Sequence, residues 1–274
     1  MKKDLALSKK LDKEILKKIE FNHNYWENNA KKHKDSHKVS WGDRYIIDLE
    51  IENVSTYISN GDVVLDAGCS NGYSTFKISK NKKIKVRAFD YSKKSILHAN
   101  KTKRVKDKKN KIDFYHANIL EIPEKDNFFD KAYTIRVIIN LLSWKLQKES
   151  ILEIYRVLKP GGLYIMSEAF IGSLKNINSL RKVAGMSPLE VHDFNLYLEE
   201  KKLEKFLNRY FEIVEIRKFS SVYYAASRFL RYLTLNKKSE DSFINSFNKY
   251  FAEFKETENS GDFGIQKIYV LRKK

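Results

Sequence analysis

The stretch Val63-Val64-Leu65-Asp66-Ala67-Gly68-Cys69-Ser70-Asn71-Gly72-Tyr73-Ser74-Thr75 constrains this chain more than any other. Val63, Val64 and Leu65 run without alternation, the pattern of a parallel strand covered on both faces. Gly68 and Gly72 allow positive φ or close backbone approach, so a ligand can lie against the main chain. Tyr73 opens a helix whose amino end faces the same point. Asp66, at the carboxyl end of the strand, points into the crevice where open α/β sheets bind ligands. The next strand, Lys85-Val86-Arg87-Ala88-Phe89-Asp90, ends in an acid 24 residues after Asp66. That is close to the spacing at which a carboxylate accepts both hydroxyls of a ribose. The two acids make a nucleoside-type ligand the leading reading, against a Rossmann-like domain that binds another nucleoside or none.

The turn reads Asp-x-Gly-x-Ser-x-Gly, whereas dinucleotide binders begin Gly-x-Gly-x-x-Gly and cradle a pyrophosphate. S-adenosylmethionine carries an ammonium group and a sulfonium and no phosphate, so an acid at the turn is electrostatically sensible. On these residues the chain resembles the class I (Rossmann-like) S-adenosylmethionine-dependent methyltransferases, whose usual turn has glycine where Ser70 stands. The resemblance covers residues 60–170 well. It implies an α/β fold with a Rossmann-like, seven-stranded, mostly parallel sheet and helices on both faces. The last strand is antiparallel, and helical insertions follow strands five and six. The implied cofactor is S-adenosyl-L-methionine and the product S-adenosyl-L-homocysteine. The resemblance places Asp66, Gly68, Ser70, Gly72, Asp90 and Tyr91 around the cofactor. Asn118 and Ile119 flank its adenine, and Ile135 ends strand four beside the transferable methyl.

Along the chain, Leu7, Leu11, Ile15 and Ile19 make a helical stripe over residues 1–22. A polar segment to His37 and then Ser40-Trp41-Gly42-Asp43-Arg44 follow. Tyr25 and Trp41 read either as a lid over the cofactor or as packing against the sheet edge. Residues 45–58 read as an amphipathic helix, 73–80 as the helix after the turn, and 112–116 and 128–135 as strands three and four. A helix runs to Leu158, and Lys159-Pro160-Gly161-Gly162 launches strand five at 164–168. Strand six is expected at 211–219 and the closing strand at 264–271. The division is an N-terminal helical lid, 1–59, and a methyltransferase domain, 60–274, whose insertions 169–205 and 220–260 cap the acceptor. For the aromatic insertion 220–260, satellite core and a dimer surface are alternatives.

Composition bounds the rest. Disulfides within the chain and a cysteine-rich metal site are excluded by the sole cysteine, Cys69; no metal is expected. No apolar run approaches the length of a membrane span, and the cytoplasm is the expected location. Net charge +18 points toward nucleic acid, but lysine far outnumbers arginine, and the densest run, 101–111, reads as a solvated loop. After strand four there is no Asn/Asp-Pro-Pro-aromatic tetrad to hold an exocyclic base amine. No cysteine lies there to attack a pyrimidine. DNA amino and pyrimidine C5 methylation are therefore poor readings.

The functional expectation is methyl transfer to an oxygen or nitrogen of a small, anionic metabolite or saccharide precursor. RNA methylation and a non-catalytic scaffold for a partner subunit are the alternatives, and the chain is a monomer or homodimer. His192 is the candidate general base, because imidazole titrates near neutrality. Arg136 and Arg181 are candidate anion clamps, with Asn140, Asn195 and Tyr197 as further acceptor contacts. Residues 188–197 and 136–140 look like an uncharacterised methyltransferase group associated with surface-saccharide pathways.

Overall fold

The computed structural model describes residues 13–107, 111–234, 244–254, 256–257 and 259–274. Seven strands form one sheet: β1 (Val63–Ala67), β2 (Lys85–Asp90), β3 (Ile112–His116), β4 (Phe129–Ile135), β5 (Leu158–Ala169), β6 (Phe211–Lys218) and β7 (Gln266–Lys273). Their order is β3-β2-β1-β4-β5-β7-β6. The first five run parallel, and β7 is antiparallel to both β5 and β6. The expected α/β architecture is the one observed. Burial follows position in the sheet. Val64, Leu65, Asp66 and Ala67 of central β1 are all buried, whereas edge strand β6 alternates covered and exposed residues. The strand order reverses between β1 and β4, and that switch point is where open α/β sheets present a crevice.

Around the sheet lie α1 (Lys13–His33), α2 (Arg44–Ser55), α3 (Tyr73–Ser79), α4 (Lys93–Lys106), α5 (Trp144–Val157), α6 (Ile171–Val183) and α7 (Glu200–Leu207). The helical insertion adds α8 (Ser221–Ala225), a π turn over Ala226–Leu230, α9 (Arg231–Thr234) and α10 (Ser246–Ala252). Leu7 and Leu11 of the expected stripe lie outside the described residues, as do 108–110 of the basic run and Phe243 of the insertion. Among the described residues no helix is long and apolar enough to cross a membrane.

Two elements differ from expectation. The first helix does not stop near residue 22 but continues to His33. Asn22, Trp26 and Ala30 recur every four residues on one face, and Asn22 and Ala30 are buried. The buried stripe is therefore partly polar, and hydropathy does not trace it. Strand five begins at Leu158, directly where α5 ends, with a register shift between its pairings at Phe129 and Lys131. Gly162 is required there: a Cβ would sit 2.9 Å from the Lys159 carbonyl and 3.0 Å from that of Asp130.

The aromatic insertion is tied to the body through a buried ion pair. Asp43 caps α2, its Oδ1 accepting the Ile46 N–H at 3.4 Å, and its Oδ2 lies 2.6 Å from Arg228 Nη2. Tyr223 donates its hydroxyl to Asp43 Oδ1 at 2.7 Å. Both charges are out of solvent, so removing one strands the other. Arg228→Ala should lower the unfolding free energy by about 3–5 kcal/mol. Urea denaturation reads this directly, and a loss under about 1 kcal/mol, the scale of a surface pair, would show that the pair does not anchor the insertion.

Candidate active site

One pocket lies at the switch point, enclosing about 1040 Å³ with the open solvent at its mouth included. Its floor is made by residues just beyond three strand ends: Gly68 and Ser70 after β1, Asp90 and Tyr91 at β2, and Ile135, Arg136 and Val137 at β4. Ala117, Asn118, Ile119 and Leu120 close one side after β3. A smaller recess, lined by His37, Asp66, Cys69, Asn71, Tyr73 and Ser74, shares Ser40, Gly68, Ser70 and Ile135 with it.

The turn after β1 is held in left-handed conformations at three residues, Gly68 (φ +86°), Ser70 (φ +49°) and Gly72 (φ +80°). Ser70 thus occupies a conformation that glycine takes at less steric cost. The two glycines answer to packing as well as to any ligand. A Cβ on Gly68 would run into Val137, and one on Gly72 would lie 2.8 Å from Phe114 and 2.9 Å from Phe76. Asp90 fixes the turn from the next strand: Ser70 N–H donates to its Oδ2 and Ser92 N–H to its Oδ1, both at 2.8 Å. Each oxygen keeps a lone pair for a further donor.

Asp66 is buried and accepts the hydroxyls of Thr75 and Tyr133 on one oxygen, both at 2.6 Å. Burial pushes its carboxyl up to about 7; the two hydroxyls oppose that, and the charge of Asp90 adds to it. Burial likewise raises Asp90, against the Ser92 and Ser70 N–H groups. Two acids crowd one corner of the site, and a cation between them would relieve both.

The turn after β4 is built on a third acid. Glu168 of β5, fully buried, accepts the N–H groups of Val137 and Ile138 at 3.1 Å and of Ile139 at 3.3 Å. Arg136 sits at φ +57°. Its Nε lies 3.0 Å from Glu50 Oε2, an atom inside the core, and its Nη2 donates to Ser40 at 3.0 Å. The guanidinium also stands 5.0 Å from the Trp41 ring. Overhead, α1 supplies Ile15, Lys18, Ile19, Asn22 and Trp26 as a roof, and Leu141, Leu142 and Leu146 continue the wall. Two amides latch the roof. Asn22 Nδ2 donates to the carbonyls of Asn140 (2.5 Å) and Phe194 (3.2 Å). Asn71 Nδ2 donates to those of Lys34 (2.8 Å) and Ser36 (2.9 Å).

Of the residues singled out in the sequence, Gly68, Ser70, Asp90, Tyr91, Asn118, Ile119, Ile135, Arg136 and Asn140 line the main pocket, and Asp66 lines the recess. Gly72, Tyr25, Trp41, Arg181, His192, Asn195 and Tyr197 line neither. Tyr25 stacks on Phe194 at 4.2 Å. Arg181 is turned into the insertion, donating to the carbonyls of Ser187 and Arg228. His192 is exposed and stacks on Phe194 at 5.0 Å, so the expected general base is not at the pocket. Asn195 N–H donates to the His192 carbonyl in that same surface turn. Tyr197 is half-buried. Among the pocket residues not singled out in the sequence are Asn22 and Trp26, in the segment read as polar, and His37, which lines the recess and whose buried Nε2 has no hydrogen-bond partner among the described residues.

A model of the methyltransferase domain matches residues 58–209, more than half of the chain. The chain therefore belongs to the methyltransferase domain family, whose class uses S-adenosylmethionine. Malonyl-acyl-carrier-protein O-methyltransferase of Buchnera aphidicola is 34% identical over 148 residues, covering 51% of this chain and 54% of that protein. Sterol 24-C-methyltransferase of Pneumocystis carinii is 34% identical over 111 residues, covering 40% of this chain and 29% of that protein. The chain thus spans about half or less of these curated relatives. Geranyl diphosphate C-methyltransferase of Streptomyces coelicolor, solved with S-adenosyl-L-homocysteine, superposes with a TM-score of 0.56 at 14% identity, covering 85% of this chain and 83% of that one. The cyclase SpnF superposes with a TM-score of 0.55 at 20% identity, covering 81% and 80%. At such identities the likeness is one of fold.

The raised Asp66 has a consequence with a definite sign. A carboxyl that titrates near 7 when folded and near 3.9 when unfolded takes up a proton on folding. Its share of stability is fully present below about pH 4 and is lost as pH rises through about 7. Asp66→Asn should therefore flatten the fall in unfolding free energy between pH 4 and 7, measured by urea denaturation at several pH values. An identical slope in both proteins would place the Asp66 pKa near its ordinary value.

Proposed function

We propose that the protein transfers a methyl group from S-adenosylmethionine to an oxygen or nitrogen of a small molecule. The observation that carries this reading is the meeting of the ends of β1, β2 and β4 on one pocket, with Asp90 on its floor. The donor set fits the cofactor: Asp90 has lone pairs left for two ribose hydroxyls, and the crowded acids favour a sulfonium and an ammonium group. Asn118 and Ile119 would flank the adenine, and the recess with Asp66 and His37 would take the amino-acid tail. When bound, the cofactor supplies an electrophilic methyl on sulfur.

What the chain then has to do is hold the acceptor in line and exclude water. We assign that work to α1 as a lid, with Ile135 and Val137 below it and Leu141, Leu142 and Leu146 at the side. Residues 1–59 and 60–274 are proposed as lid and catalytic domain, and the insertion 220–260 as a support for the lid rather than an acceptor wall. An anionic acceptor is supported by the net charge of +18. It draws little support from the arginines, since Arg136 is engaged with Glu50 and Arg181 faces away. A saccharide precursor rests on the resemblance of residues 188–197 and 136–140 alone.

Asp90→Ala should weaken binding of S-adenosyl-L-homocysteine by at least about tenfold, the scale of one lost charge-assisted hydrogen bond. Titration calorimetry decides it. Equal affinity in the variant rejects the ribose assignment.

A further inference from the structure

Three polar atoms at the lid side of the pocket have no hydrogen-bond partner among the described residues: Asn22 Oδ1, Trp26 Nε1 and Asn140 Oδ1. All three side chains line the pocket, and Asn22 is only 4% exposed. Neither amide is free to turn over. Asn22 uses its Nδ2 on two carbonyls, so a flip would set oxygen against oxygen twice. Asn140 gives its Nδ2 to the Arg136 carbonyl at 2.7 Å. The oxygens are therefore the ends left over, and the indole N–H can only donate. A buried polar group left alone is destabilising. Three in one wall of one pocket mark a surface made for a partner.

The surroundings restrict that partner. Ile15, Ile19, Leu141, Leu142 and Leu146 are aliphatic. Of the nearby cations, Arg136 is paired with Glu50, and Lys18 lies 2.8 Å from Glu14. A carboxylate or phosphate here would face two amide oxygens with no hydrogen to offer. A head group with two donor hydrogens and one acceptor would satisfy all three atoms, while an apolar body would fill the aliphatic wall.

We infer that the methyl acceptor is a mainly apolar, uncharged molecule whose head carries two neighbouring hydroxyl or N–H groups, read by Asn22, Asn140 and Trp26. The inference rests on the methyl-transfer reading and narrows its substrate. It makes Asn22, Asn140 and Trp26 specificity residues, and sets them apart from the acids that face the cofactor side.

The test titrates octane-1,2-diol, its dimethyl ether and octanoate into the protein saturated with S-adenosyl-L-homocysteine. The diol should bind about thirtyfold more tightly than either other probe, the equivalent of two hydrogen bonds at about 1 kcal/mol each. Trp26→Phe keeps an aromatic ring and removes only the donor. It should weaken the diol by about 2–12-fold and leave homocysteine-nucleoside affinity unchanged. Asn22→Leu should erase the preference for the diol over the ether, with its fold checked by thermal melting because Asn22 also latches the lid. Octanoate binding as tightly as the diol, an unchanged diol affinity in Trp26→Phe, or no binding by any of the three probes overturns the inference. Failure of S-adenosyl-L-homocysteine itself to bind would instead remove the methyl-transfer reading, so the two outcomes are distinct.

Discussion

Buried carboxylates at the carboxyl edge of the sheet have to be satisfied, and satisfying them gives the pocket its walls. An ionised carboxyl away from water is tolerated only with partners. Glu168 finds three backbone N–H groups and thereby curls the chain after β4 into a tight turn. Asp90 finds the N–H groups of Ser70 and Ser92, which holds the turn after β1 against the end of β2. Asp66 finds two hydroxyls, one on α3 and one on β4. Glu50 finds Ser167 at 2.6 Å and the Arg136 guanidinium. Each acid crosses from one element to another, so the shape of the site is fixed by polar bonds within an apolar frame. The cost shows in the titration: Asp66 and Glu168 are both pushed up to about 7 by burial despite these partners.

The same logic connects the pocket to the distant insertion. Trp41 has the Arg136 guanidinium 5.0 Å from its ring and that of Arg228 at 5.8 Å. Arg136 belongs to the pocket and is balanced by Glu50; Arg228 belongs to the insertion and is balanced by Asp43. A cation near an aromatic face is worth more when both are out of water. The series of pair, ring and pair therefore runs from the pocket at Arg136, past Trp41, to the π turn at 226–230. The aromatic insertion thus reaches the site through Trp41, without lining it. Trp41, one of the residues read from the sequence as lid or packing, thus stands behind the lining rather than in it.

The central strand was legible because its signal is large and local: the unbroken apolar run Val63–Leu65, followed by Asp66 and Gly68. β2 and β3 fall on the residues expected, and the pairing of Asp66 with Asp90 at one crevice follows from strand order alone. The full length of α1 was not legible. Its inward face is Asn22, Trp26 and Ala30, and an asparagine counts as solvent-facing until the carbonyls of Asn140 and Phe194, over a hundred residues away, are brought to it. His192, Arg181, Asn195 and Tyr197 failed for the complementary reason. Lying in the right insertion says nothing of which way a side chain turns, and Arg181 turns toward main-chain carbonyls that no spacing reveals. Ser70 stands between: the family pattern marks its position as one for glycine, and its φ of +49° is the physical content of that mark.

Net charge and pocket contacts act over different ranges. The excess of +18 is carried largely by lysines, many of them on exposed helix faces and loops. At physiological ionic strength such charges are screened over about 8 Å. Inside the pocket the balance is set by groups in contact, and there the cation Arg136 is met by Glu50 while Asp90 and, behind it, Asp66 lack an equivalent partner. The outer field can raise the rate at which an anion arrives. It cannot supply the hydrogen that two amide oxygens require of whatever sits against them. If the acceptor proposed above is right, the local polar contacts outweigh the global charge in deciding what the site holds.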